Sequence, residues 1–128
     1  MIVRSLDSLI NTDRDISWGA GKSRRYLLEK DGLGYSVMET IVDAGSESIL
    51  EYKNHLESCY CIEGEGWVKD LTTGERHEIY PGVLYTLNKH DKHLLAGTTR
   101  MKLLSIFLPA LIGPESHNLQ ADGSSSSY

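Results

Sequence analysis

Short runs of apolar, β-branched and aromatic residues alternate with glycine-containing turns along most of the chain. The runs are Tyr35–Val42, Ser58–Ile62, Val83–Leu87 and Met101–Leu108. Turn signals fall at Lys30–Gly34, Asp43–Gly45, Glu63–Gly66, Thr72–Gly74, Pro81-Gly82 and Gly97–Thr99. A spacing of about 8–12 residues between turns predicts an all-β sandwich or barrel. Within Val83–Leu87 the pattern sets Val83, Tyr85 and Leu87 on one face and Leu84 and Thr86 on the other, because successive strand side chains point to opposite sides. Helical periodicity is confined to Leu6–Asn11, which predicts one short helix. The pattern ends near residue 117. Residues 118–128, closing on Asp122-Gly-Ser-Ser-Ser-Ser-Tyr128, read as a flexible polar tail.

The 128 residues carry 13 Lys+Arg against 18 Asp+Glu, a net charge of −5. This length suits a single domain, expected over residues 1–117. The acidic balance argues against nucleic-acid partners, which select basic patches, and against anionic membrane surfaces. No apolar run approaches the roughly 18 residues of a membrane span. The N-terminus Met1-Ile-Val-Arg-Ser-Leu-Asp turns polar at once, so a cytoplasmic protein is expected. Cys59 and Cys61 share a strand face about 6.6 Å apart, a poor disulfide distance, and read as small buried apolar residues.

The chemistry concentrates between Gly45 and Gly97. Gly45 is followed after five residues by Glu51-Tyr52-Lys53, after three more by Glu57 and after six more by Gly64. Gly82 is followed after five residues by Asn88-Lys89-His90, after two more by His93 and after three more by Gly97. This spacing resembles the two signature motifs of the cupin superfamily. The resemblance implies a cupin-type double-stranded jelly-roll barrel with at most one or two short helices. The chain departs from the motifs where Glu51 and Lys53 replace the paired histidines of the first. In the second, Asn88, His90 and Gly97 replace Pro, Gly and Asn. Glu57 and His93 survive as metal-ligand positions. A third ligand is needed, and Tyr85 is the best placed, on the strand leading toward His93. A phenolate beside a carboxylate and an imidazole suits iron. An inward tyrosine in a barrel also serves as packing with a satisfied hydroxyl.

Longer strings narrow the resemblance. Tyr52-Lys-Asn-His55-Leu-Glu57, Tyr60-Cys-Ile-Glu-Gly-Glu-Gly66 and His90-Asp-Lys-His93-Leu-Leu95 resemble the ectoine synthase family. So do Met1-Ile-Val-Arg4 and Phe107-Leu-Pro109 with Gly113-Pro-Glu115-Ser-His117. The similarity runs from residue 1 to about 117. It implies cyclisation of N-γ-acetyl-L-2,4-diaminobutyrate to the compatible solute ectoine with loss of water. It implies Fe2+ on Glu57, Tyr85 and His93, a donor set that would also admit zinc or manganese. It implies substrate contacts at Trp18, Ser23, Arg25, Thr40, Tyr52, Phe107, Glu115 and His117, with Tyr52, Glu115 and His117 catalytic. Ser105 stands where the family usually carries Cys. A homodimer built from edge strands is expected.

The residue types suit those roles. Arg25 can clamp a carboxylate with a two-pronged hydrogen bond. Glu115 can pair with an ammonium or act as base, and His117 can move a proton near neutral pH. Tyr52 can donate to the departing oxygen. His55 either orients Glu57 or is a satisfied strand histidine. His77 and His90 read as turn or surface residues. The segment 113–117 carries functional groups and can act as a lid. Another metal-dependent cupin enzyme, or a cupin that binds a small molecule without turnover, explains the motif spacing but not the longer strings.

Overall fold

Ten antiparallel strands, and not only the four runs with a visible pattern, make up the computed structural model of the chain, which describes residues 1–116. They are β1 (Asp15–Ser17), β2 (Gly21–Leu27), β3 (Ser36–Val42), β4 (Glu47–Leu50) and β5 (Leu56–Glu63), then β6 (Gly66–Asp70), β7 (Arg76–Ile79), β8 (Leu84–Leu87), β9 (His93–Gly97) and β10 (Met101–Leu108). Leu6–Ser8 and Glu29–Asp31 form single turns of 3-10 helix. The first falls inside the predicted helical stretch and stops short of Asn11, whose positive φ of 61° turns the chain.

A six-stranded sheet in the order β1-β2-β3-β10-β5-β8 faces a four-stranded sheet in the order β4-β9-β6-β7. Together they form an all-β jelly-roll sandwich. Alternation decides what lies between them. Met101, Leu103, Ser105 and Phe107 point inward from β10, and Glu57, Cys59 and Cys61 point inward from β5. Val83, Tyr85 and Leu87 are more buried than Leu84 and Thr86, as the sequence pattern requires. Both cysteines are free thiols in the core. Leu50, Val68, Ile79 and Leu95 close the core from the opposite sheet.

Register aligns the site. Along one cross-strand row Arg25 pairs with Met38, Met38 with Ser105, Ser105 with Cys59, and Cys59 with Tyr85. In the neighbouring row Ser36 pairs with Phe107, Phe107 with Glu57, and Glu57 with Leu87. His93 comes from the other sheet, opposite Leu50 of β4 and Asp70 of β6.

The N-terminal segment is tied to this frame by a charge cluster. Asp31 accepts from Arg4 at 2.8 Å and from Arg14 at 3.1 Å, and its other contact is the backbone N–H of Leu28 at 2.9 Å. Burial works against the Asp31 carboxylate, but these donors outweigh it and hold its pKa at about 2. The ionised group therefore contributes stability above its ordinary value near 3.8, and that contribution is lost as pH falls through about 2. Asp31→Asn is expected to lower the thermal midpoint by several degrees at pH 7, with the deficit closing toward pH 2. Melting curves across that range check it.

Candidate active site and metal centre

An interior cavity sits between the two sheets. Its walls include the aromatic rings of Trp18, Tyr52, Tyr85 and Phe107, the hydroxyls of Ser23 and Thr40, and the carboxyl of Glu57. Seven residues expected from sequence to bind substrate or metal thus meet around one space.

Local structure explains how each is held. Trp18 is buried, and its indole N–H donates to the Ile41 carbonyl at 2.9 Å. That docking needs Gly21, whose φ is +152° and where a Cβ would lie 1.8 Å from the Ile41 oxygen and 3.1 Å from the indole nitrogen. Tyr52 packs edge-on against both His93 and Phe107, with ring centroids 5.4 Å apart in each case. Its loop is clamped by His90, whose Nδ1 lies 2.8 Å from the Tyr52 carbonyl and 3.1 Å from that of His55. His90 is exposed at the end of a turn, as expected, and the clamp is an added role. It stands at the glycine position of the second cupin motif and adopts the left-handed φ of 55° that glycine would take there. That substitution was the available signal.

Ser105 is a second residue whose role the sequence did not expose. It is fully buried, exchanges a 2.8 Å hydrogen bond with Thr40 and lies 3.4 Å from the Cys59 sulfur. Cys59 and Ser105 both hydrogen-bond Glu57. His55 does not orient Glu57; its Nδ1 bonds the Pro109 carbonyl at 2.8 Å.

The electrostatics of Glu57, Tyr85 and His93 point one way. Burial pushes Glu57 up to about 8, although the hydrogen bonds from Cys59 and Ser105 pull it down. Burial, then the neighbouring Cys59 and Glu57, push Tyr85 well above the ordinary phenol value. Burial also pushes His93 down, toward the neutral imidazole. His93 Nδ1 is satisfied by the Asp91 carbonyl at 2.8 Å, while Nε2 is buried without a hydrogen-bond partner among the described residues. An imidazole fixed through Nδ1 with an unused lone pair on Nε2 is the usual form of a metal-ligating histidine. A bound dication would offset the cost of ionising Glu57 and Tyr85 in this interior. The residues therefore fit a cation. No group of three His, Cys, Asp or Glu among the described residues is arranged to hold a metal.

Two expected substrate contacts lie elsewhere. Arg25 is fully buried and does not line the cavity. Its guanidinium donates to Ser23 Oγ at 3.1 Å, to the Gly113 carbonyl at 2.6 Å and to the Glu115 carbonyl. In this arrangement it anchors the chain's own C-terminal segment. Glu115 accepts from the backbone N–H groups of Ile112 and Gly113 at 2.7 Å each. Burial would raise its pKa, but those donors and Arg25 hold it below the ordinary range. Glu115 lines a separate pocket with His55 and Pro109. Segment 113–116 is thus pinned at the Arg25 end, while His117 and the tail 118–128 lie outside the described residues.

Comparison with known proteins agrees with this architecture. The family model described as ectoine synthase matches residues 1–127. The L-ectoine synthase of Desulfosudis oleivorans is 50% identical over 125 residues, covering 97% of this chain and 95% of the relative. The crystal structure of ectoine synthase from P. lautus superposes with a TM-score of 0.85 at 43% identity, covering 88% of this chain and 81% of that one. An RmlC-like cupin from Shewanella frigidimarina shares the fold alone, with a TM-score of 0.62 at 22% identity over 75% of this chain and 83% of its own. A family match over nearly the whole length, on a jelly-roll barrel that gathers seven of the expected residues around one cavity, means that the chain belongs to the ectoine synthase family of cupins.

Proposed function

We propose that the chain is a hydro-lyase that closes N-γ-acetyl-L-2,4-diaminobutyrate into ectoine inside the barrel. The cavity walled by Trp18, Thr40, Tyr52 and Phe107, with Glu57 and Tyr85 set into it, carries this reading. In the reaction the α-amine nitrogen bonds to the acetamide carbonyl carbon. The carbonyl oxygen then leaves as water with two protons. Folding the substrate so that amine and carbonyl meet can supply up to about 7–11 kcal/mol of the barrier. Aromatic walls that hold the bent chain and exclude water favour dehydration over hydrolysis.

Each residue then has a task. Tyr52 donates its hydroxyl proton to the departing oxygen. Ser23 and Thr40 offer hydroxyls to the polar ends of the substrate. Arg25, held to the Gly113 and Glu115 carbonyls, positions the segment carrying Glu115. Glu115 stays ionised and caps the Ile112 and Gly113 N–H groups, and His117 takes the proton that frees the amine. Glu57, Tyr85 and His93 would hold Fe2+. Bound there, the ion supplies Lewis acidity toward the carbonyl oxygen, worth several kcal/mol.

Product analysis tests the proposal. Purified protein given the acetylated diamino acid is expected to form ectoine, and to do so faster with added Fe(II). Tight binding without turnover would instead favour a small-molecule-binding cupin. We also propose a cytoplasmic homodimer. Tyr60, Leu84, Ile106 and Leu108 lie exposed on the six-stranded sheet and offer an apolar contact surface. Light scattering is expected to give twice the chain mass of 14.3 kDa.

A further inference from the structure

Two loops meet at His90. Residues 51–55 link β4 to β5 and carry Tyr52, while residues 88–92 link β8 to β9 and lead into His93. The second loop is tied to itself. The Lys89 backbone N–H donates to the Asp91 carboxylate at 3.1 Å, and His93 Nδ1 lies 2.8 Å from the Asp91 carbonyl. From this tied loop His90 reaches across to the first, with Nδ1 at 2.8 Å from the Tyr52 carbonyl and 3.1 Å from that of His55. A carbonyl can only accept, so Nδ1 carries the proton and shares it between the two. That one N–H closes the bend at Lys53-Asn54. The backbone of His90 is held at a φ of 55° to deliver it, in the left-handed region that glycine enters freely and asparagine tolerates.

The loop of residues 88–92 and the histidine that follows it thus hold Tyr52 twice. His90 fixes its backbone, and the His93 ring packs edge-on against its ring with centroids 5.4 Å apart. Tyr52 lines the interior cavity, and His90 does not. We propose that His90 is a positioning residue for the cyclisation: its shared N–H sets the Tyr52 hydroxyl relative to His93, so that one loop aligns the proton donor with a metal ligand. The inference rests on the reading of Tyr52 as the group that protonates the departing oxygen. Proton transfer of this kind is sensitive to placement, and a displacement of about 1 Å can cost about a hundredfold in rate. A glycine at this point of the second cupin motif would make the same turn without a donor. The histidine adds the alignment.

Two substitutions separate the donor from the turn. H90G keeps the left-handed turn and removes the N–H, whereas H90N keeps both, because its side-chain amide carries an N–H donor and asparagine tolerates the positive φ. H90G is expected to lower kcat about tenfold and to change KM by less than about twofold. Its thermal midpoint should stay within a few degrees, because relief of the backbone offsets the lost hydrogen bond. The visible spectrum and content of bound Co2+ should match those of the unmodified protein. H90N should restore kcat to within about twofold. Added to Y52F, H90G should cost nothing further, since no hydroxyl is left to align. An unchanged kcat in H90G would overturn the proposal, and so would an equal loss in H90N. A further tenfold loss in Y52F/H90G, or an altered Co2+ spectrum in H90G, would overturn it by routing the effect through another group. If Y52F alone turns over at the unmodified rate, the proton-donor reading of Tyr52 falls and the alignment with it, an outcome seen without any His90 variant.

Discussion

Glu57→Ala is expected to give a folded protein that loads no iron and forms ectoine at least about a hundredfold more slowly, a loss consistent with several kcal/mol of Lewis-acid stabilisation. Metal analysis of the purified variant together with its rate checks this, and full iron content would refute the ligand role. Glu57 also makes a pH-dependent prediction that needs no turnover. In the metal-free protein its carboxyl is raised from an ordinary 4.5 to about 8. The unfolded chain releases that proton first, so native stability is fullest below about 4.5 and declines as pH rises toward 8. At about 1.4 kcal/mol per pH unit, the decline reaches roughly 3 kcal/mol by pH 7. Glu57→Gln does not titrate. Its metal-free form is therefore expected to gain on the wild type by about that amount between pH 4.5 and 7, as read from urea midpoints. Iron added to the wild type should reverse the order, because a cation stabilises the ionised carboxylate that the glutamine lacks.

Arg25→Ala is expected to be the most destabilising single change, at about 3–5 kcal/mol, the range for breaking a buried charged network. It removes a fully buried side chain and leaves the Gly113 and Glu115 carbonyls and Ser23 Oγ without their donor. Arg25→Lys keeps the charge but cannot present the same fork of donors, so it should restore only part of the stability. The specific readout is limited proteolysis. If Arg25 is a latch for the C-terminal segment, cleavage after residue 113 should speed up in both variants before the barrel unfolds. Slow cleavage with a raised KM alone would return Arg25 to the role of substrate clamp.

Much of this was legible before any fold was known, and the reason is periodicity. The runs at β3, β5, β8 and β10 alternate over four to eight residues and sit between glycine turns, so their type, and the inward face of β8, could be read from the chain. β1, β4 and β7 could not. They are three or four residues long and mostly polar, and sheet pairing rather than intrinsic preference makes them strands. The same limit applied to His90. Its place at the motif's glycine position marked it as unusual, but only the loop it clamps reveals the function.

The sequence alone determined the family and the barrel class, because motif spacing and strand alternation are local properties of a chain. Only the tertiary structure decided what the candidate site residues face. Register across five strands put Arg25, Met38, Ser105, Cys59 and Tyr85 in one row, and the packing of the second sheet brought His93 up from the other side. It also made Arg25 the buried anchor of residues 113–115. That pairing spans 88 to 90 residues of sequence. No local pattern encodes it, because it exists only once both ends of the chain have closed over the same core.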